Sequence, residues 1–289
     1  MFIDRLIDGV LKVNNPVVVG LDTRIEHVPE GLRSGVNDAQ DIFKYNREIL
    51  DAVKGLVTAI KIQSACYEAL GVEGVSVYKQ TIDYARDMGL LVIGDVKRGD
   101  IGSTAEEYGK AHFSAFGCDA ITVNPYMGMD TIEPFIKCCL DLDKGLFVLI
   151  KTSNPGSNDF QNLDVGGKKL YEVVAQKVFE ESEKYKGEKG YSFIGGVLGA
   201  TYPDELQNAR EILKSSFLLI PGYGAQGGKA EDIALGFTKG IGALINASRS
   251  VLTSHKNEEY RRIYGDDYAS CIKHEVTRMR DELLSHIKA

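Results

Sequence analysis

A chain of 289 residues with 44% hydrophobic content is long enough for one large domain, or two small ones, around a sizeable core. Its net charge of −7, from 34 basic and 41 acidic residues, argues against a nucleic-acid surface, which needs a basic stripe, yet leaves room for a small anionic ligand. The five cysteines form no C-x-x-C pair and read as reduced thiols of the cytosol; no apolar run approaches the roughly 18 residues of a membrane span, and charges come too early at the N-terminus for a secretory leader.

The first apolar run, 17–22, reads as a buried strand ending on Asp22. Residues 41–53 follow as an amphipathic helix, with Ile42, Tyr45, Ile49 and Val53 on one face. The second strand, 59–63, carries Lys61 and Gln63 on a common face, since residues two apart share one. A helix over 75–88 leads to a third strand, 90–95, and helical patterns recur over 104–116, 131–140, 168–184, 203–214 and 230–237. Between these lie strands at 120–123, 145–150, 193–198, 217–220 and 243–246, and a long helical segment over 259–287 closes the chain. Short runs rich in Val and Ile, joined by helical crossovers, mean parallel strands buried on both faces. Eight such units predict a single-domain (β/α)₈ barrel over 1–289, with a doubly wound open sheet as the alternative. The segment 154–191 opens with the loop signal Asn-Pro-Gly-Ser-Asn-Asp before turning helical, and is a candidate lid or an ornamental insertion.

Two motifs carry chemistry. The first is the end of strand three, Asp95-Val-Lys97-Arg-Gly-Asp100. Asp95 and Lys97 point the same way as the strand emerges, and Asp100 lies in a glycine-flanked turn able to fold back on them. Such charges form a solvated salt bridge in many proteins; they also hold a cationic acid beside a reacting carbon. Flanked by two carboxylates, Lys97 is expected to remain an ammonium, hence a proton donor rather than a Schiff-base nucleophile. In a barrel, Asp22, Lys61, Asp95, Lys97 and the Lys151-Thr-Ser-Asn run all fall at the catalytic C-terminal face. The second motif, Pro221-Gly-Tyr-Gly-Ala-Gln226-Gly227-Gly, contains G-x-G-x-x-G but is followed by Asn246-Ala-Ser-Arg249 instead of the acid of a dinucleotide site. Glycine amides, Gln226 and a bidentate Arg249 suit a phosphate held by loops seven and eight. Cys138 and Cys139 follow a helical apolar pattern, Asn124-Pro-Tyr-Met suits a pocket wall or a loop, and the five histidines show no metal-ligand spacing.

The combination of Asp95-x-Lys97-x-x-Asp100-Ile101 with Pro221-Gly-x-Gly-Ala-Gln-Gly-Gly228 and Arg249-Ser250 resembles the orotidine 5′-phosphate decarboxylase family over essentially the whole chain. Ala-Ile-Lys61-Ile-Gln, Leu198-Gly-Ala-Thr-Tyr-Pro-Asp-Glu and Thr152-Ser-Asn-Pro155 resemble its longer bacterial branch; the acidic motif alone is shared with sugar-phosphate decarboxylases and aldolases. The resemblance implies loss of CO₂ from orotidine 5′-monophosphate in pyrimidine synthesis, with no metal and no organic cofactor. Lys97 would be the proton donor, Asp95 and Asp100 its electrostatic partners, and Lys61 would complete the charge network. It further implies a substrate contact for Asp22, Thr104, Ser153 (with Thr152 as rival) and Pro221, and phosphate binding by Gln226, Gly227 and Arg249. A homodimer is also implied, in which Asp100 and Ile101 enter the neighbouring subunit's site.

Overall fold

The computed structural model describes residues 1–223 and 228–287. In chain order the elements are α1 (Phe2–Val13), β1 (Val17–Leu21), α2 (Asp38–Val53), β2 (Ala59–Gln63), α3 (Ser64–Glu68), α4 (Gly71–Asp87) and β3 (Leu91–Arg98). They continue with α5 (Gly102–Gly109), β4 (Ala120–Val123), α6 (Glu133–Leu142), β5 (Gly145–Lys151), α7 (Leu170–Ser182) and β6 (Ser192–Leu198). The last third holds α8 (Pro203–Ile212), β7 (Ser216–Pro221), α9 (Ala230–Ile233), β8 (Ala243–Ala247), α10 (Arg249–Leu252), α11 (Glu258–Tyr264) and α12 (Tyr268–His286).

The eight strands close in sequence order, every pair parallel. Pairing of Val17 with Ile245 joins β1 to β8 and rules out an open, doubly wound sheet. The strands are buried along almost their whole length because side chains fill the barrel inside and helices cover it outside, which is why they read as apolar runs instead of alternating ones. Helix α1 seals the barrel at the N-terminal ends of the strands. Its Phe2, Ile3, Leu6, Ile7 and Val10 are buried at helical spacing, and Phe2 lies so close to Gly145, the first residue of β5, that a β-carbon there would come within 2.1 Å of its ring.

Two segments differ from the sequence reading. Helix α7 packs on β5 and β6 as the ordinary fifth crossover helix, so the departure from a plain barrel shrinks from 154–191 to the loop 152–169. That loop is pinned. Lys151, 1% exposed, reaches Ser157 Oγ and Asn162 Oδ1 at 3.1 Å, Asn158 Oδ1 at 3.3 Å and Glu205 Oε2 at 3.4 Å. A buried ammonium needs such a set of acceptors, and here they draw the loop onto the barrel rim. The C-terminal segment is two helices instead of one run over 259–287. Gly265, at φ 60°, ends α11, and the Asp267 carboxylate accepts from Ser270 N at 3.0 Å to cap α12.

Candidate active site

The site begins with an irregularity in β3. Gly94 pairs with Ile121 and Arg98 with Val123, so three residues of β3 face the single residue Thr122 of β4. The hydroxyl of Thr122 takes over the broken ladder. It accepts Val96 N–H at 3.0 Å and Lys97 N–H at 2.9 Å, and it donates to Asp95 Oδ1 at 3.0 Å. All three hydrogen-bonding capacities of a hydroxyl are used. The bulge holds Lys97 at φ 45°, a left-handed conformation that costs a residue with a β-carbon about 1–2 kcal/mol. A regular strand already puts Asp95 and Lys97 on one face; the bulge brings the Lys97 ammonium onto Asp95 Oδ1, at 2.5 Å.

Around Asp95 the donors are complete. Oδ2 accepts from Lys61 Nζ at 2.8 Å and from Gln63 Nε2 at 3.0 Å, while Oδ1 accepts from Lys97 and Thr122. Lys61, 3% exposed on β2, also reaches Asp22 Oδ1 at 3.0 Å, just past the end of β1. Burial alone would push the Asp95 carboxyl up, but the Lys61 and Lys97 ammoniums overcome it and hold the group below the ordinary carboxylate range. Burial likewise opposes the charge of Lys61, and Asp22 and Asp95 outweigh it, so its ammonium is held above the ordinary lysine value. The order Asp22–Lys61–Asp95–Lys97 is two acids and two cations, which makes burial of its centre tolerable.

Two cavities meet over Lys61, Asp95 and Pro221. One, of about 370 Å³, continues past Lys97 and Thr122 to Thr152 and Ser153; the other, of about 240 Å³, runs between Asp22 and Arg24 to Asn246, Ser248 and Arg249. A long ligand would therefore have one end beside the charge network and the other at the start of α10. Of the rivals at the end of β5, the Thr152 hydroxyl donates to Asn154 Oδ1 at 2.7 Å and receives Gln161 Nε2 at 2.9 Å, whereas the Ser153 hydroxyl has no bond among the described residues. Gly199 lets this loop approach, since a β-carbon there would stand 2.9 Å from the Ser153 backbone nitrogen. Arg249 is exposed and without an ion pair among the described residues. Gln226 and Gly227 lie outside the described residues.

One expectation within the chain is corrected. Asp100 does not fold back on Lys97. Its carboxylate accepts the adjacent Ile101 N–H at 2.8 Å, and no ion pair joins it to a lysine or arginine among the described residues. The chain leaves the barrel after Arg98, so Ile101, 63% exposed, and Thr104 face outward. Three groups at the site were not assigned from sequence: Thr122, whose hydroxyl replaces the β3–β4 ladder; Gln63, the fourth donor to Asp95; and Asn246, 6% exposed, whose Oδ1 has no partner among the described residues. Two signals in the sequence bear on them: the face that Gln63 shares with Lys61, and the place of Asn246 at the end of the eighth strand, three residues before Arg249; nothing marks Thr122.

The comparisons agree with this architecture. The family model of orotidine 5′-phosphate decarboxylase / HUMPS matches residues 15–263. The chain is 45% identical over 289 residues to the orotidine 5′-phosphate decarboxylase of Clostridium kluyveri, covering 98% of this chain and 97% of that protein. It is 44% identical over 292 residues to that of Clostridium tetani, covering 100% of both. The solved OMP decarboxylase of Leishmania donovani shares the fold with a TM-score of 0.74 at 29% identity, covering 97% of this chain and 98% of that one. The matched span runs from the residues before β1 to beyond β8, so it takes in every strand that carries a charge of the site: the chain belongs to the orotidine 5′-phosphate decarboxylase / HUMPS family.

Proposed function

We propose that this enzyme decarboxylates orotidine 5′-monophosphate to uridine 5′-monophosphate in pyrimidine synthesis, with Lys97 as proton donor. The observation that carries the reading is the Lys61–Asp95–Lys97 network at the junction of the two cavities. The C6–carboxyl bond breaks, CO₂ leaves, the electron pair stays on C6, and the Lys97 ammonium delivers its proton there. The ring π-system cannot delocalise that pair, so the protein must supply charge already in place. The Lys97 ammonium supplies it at C6, and Asp95, kept ionised and fixed by its four donors, sits beside the substrate carboxylate and holds that ammonium in place.

Lys61 holds Asp95 ionised from the side opposite Lys97 and bridges it to Asp22, which meets the ribose. Ser153 and Pro221 wall the base: the Ser153 hydroxyl is uncommitted among the described residues, and Pro221 borders both cavities. Arg249, with Gln226 and Gly227, binds the phosphate. Binding energy gathered there, away from the reacting carbon, then places the charges for the chemical step. Asp100, Ile101 and Thr104 act across a homodimer, each completing the neighbour's site; an exposed isoleucine beside a carboxylate with no cation partner among the described residues suits such a surface.

The test is release of labelled CO₂ from carboxyl-labelled orotidine 5′-monophosphate by the purified protein in excess chelator. Turnover supports the proposal; a folded protein that binds uridine nucleotide and releases nothing refutes it. Activity that needs added magnesium points to the sugar-phosphate relatives instead.

A further inference from the structure

We infer that Arg98 is a positioning residue for Lys97, clamping the β3 bulge from its outer side so that the strained backbone keeps the ammonium on the site. The inference rests on the role proposed for Lys97. Left-handed backbone at a residue with a β-carbon persists only where its surroundings over-determine it. Thr122 secures the inner side through the Val96 and Lys97 amides. The first residue after Lys97 secures the outer side. Arg98 C=O accepts Asn124 N–H at 2.8 Å, which restarts the β3–β4 ladder. Its guanidinium is held by three elements at once. Nη2 donates to Glu68 Oε1 at 2.6 Å on α3, Nε donates to His112 Nε2 at 3.3 Å, and the guanidinium carbon lies 5.4 Å from the centre of the Tyr108 ring on α5.

The acceptor His112 is buried, and its Nδ1 has no hydrogen-bond partner among the described residues, so the contact with Arg98 is the one hydrogen bond its ring makes there. It lies in a π-helical turn, Lys110–Ala115, between α5 and β4, and is 3% exposed. Such turns insert one residue into a helix and re-aim a side chain. Because Arg98 Nε–H donates to Nε2, the ring proton of a neutral imidazole must sit on Nδ1. Burial, reinforced by the positive charge of Arg98, lowers the His112 pKa to about 4, so the ring stays neutral and remains an acceptor at physiological pH. Beside it a cavity of about 180 Å³, bordered by Glu68, Tyr108 and Tyr78, separates the guanidinium from the α4 face. A lysine at 98 keeps the charge but lacks the planar fork that serves Glu68 and His112 together.

The experiment compares wild type, Arg98→Ala and Arg98→Lys in two readouts. In the first, kcat falls about a hundredfold in Arg98→Ala while KM and uridine 5′-monophosphate affinity stay within about threefold, as for a displaced catalytic group. Arg98→Lys gives the same split with a smaller loss. Guanidinium chloride, far below denaturing concentration, restores kcat to Arg98→Ala and leaves wild type unchanged. In the second, hydrogen exchange at the Val96 and Lys97 amides accelerates in Arg98→Ala and slows again with guanidinium. The exchange readout needs no turnover, so it decides the clamp even if wild type proves inactive on the nucleotide. Wild-type kcat in Arg98→Ala, or a parallel loss of kcat, affinity and thermal stability that guanidinium does not relieve, overturns the inference. So does unchanged amide exchange. If Arg98→Ala does not fold, the split in Arg98→Lys and its amide exchange decide.

Discussion

Replacing Lys61 with Met removes the bridge between Asp22 and Asp95 while keeping most of the side-chain volume. Breaking a buried pair by deleting one partner costs about 3–5 kcal/mol, since the other charge is left uncompensated. Here the lower end applies. Asp95 keeps Lys97, Gln63 and Thr122, and Asp22, whose side chain is 33% exposed, is reached by water. At about 2.1 cal/mol/K per residue, 289 residues give an unfolding entropy of about 0.6 kcal/mol/K, so a loss of about 3 kcal/mol lowers Tm by about 5 °C at neutral pH. The loss is pH-dependent. In wild type the Asp95 carboxyl is depressed, so its contribution is present above the unfolded carboxylate value and is lost only as pH falls through the lower folded one. The Lys61 ammonium is raised, so its contribution is complete below the unfolded lysine value and is lost as pH climbs through the higher folded one. Without Lys61, burial lifts the Asp95 carboxyl. The native variant then takes up a proton at a pH where wild type does not, and the Tm gap narrows as pH is lowered toward 4. Thermal scans of both proteins at one scan rate between pH 4 and 8 measure this. A gap under 1 °C at neutral pH, or one of constant size throughout, contradicts the electrostatic reasoning.

Three further outcomes are expected. Thr122→Val leaves the Val96 and Lys97 amides without their partner and takes one of two donors from Asp95 Oδ1; stability drops by about 1–3 kcal/mol in chemical denaturation, and kcat falls more than KM rises. Gly199→Ala drives a methyl into the Ser153 backbone, so KM for the nucleotide rises with little change at the distant α1 seal, which steady-state kinetics and exchange at the α1 amides distinguish. Lys151→Met strips the ammonium from Ser157, Asn158, Asn162 and Glu205 and releases the loop 152–169; limited proteolysis should cut there first, with the barrel otherwise intact.

The barrel was legible because its strands are buried on both faces and therefore stand out as apolar runs such as 90–95 between amphipathic stretches. The ends of those runs marked Asp22, Lys61, Asp95 and Lys97, and period two alone predicted that Asp95 and Lys97 meet. What the alternation could not reveal was the bulge. Nothing in the spelling of 94–98 announces two extra residues in the strand or a lysine at positive φ, and the compensating hydroxyl of Thr122 belongs to another strand, so its role exists only in the register. Asp100 shows the opposite failure. Its charge and its glycine neighbours suggested a turn back toward Lys97, but backbone direction after Arg98 is set by the β4 ladder and α5, not by attraction across a flexible turn. The seal by α1 is legible in Phe2, Ile3, Leu6, Ile7 and Val10, at the spacing of one helix face, among the same early charges that argue against a secretory leader.

The most direct test of the account is Lys97→Ala, assayed for CO₂ release from carboxyl-labelled orotidine 5′-monophosphate alongside calorimetric binding of uridine 5′-monophosphate. The account predicts that release falls by orders of magnitude while binding remains measurable, because the ammonium acts on C6 and the nucleotide is held mainly at its other end. Release within about tenfold of wild type, with binding intact, would contradict it.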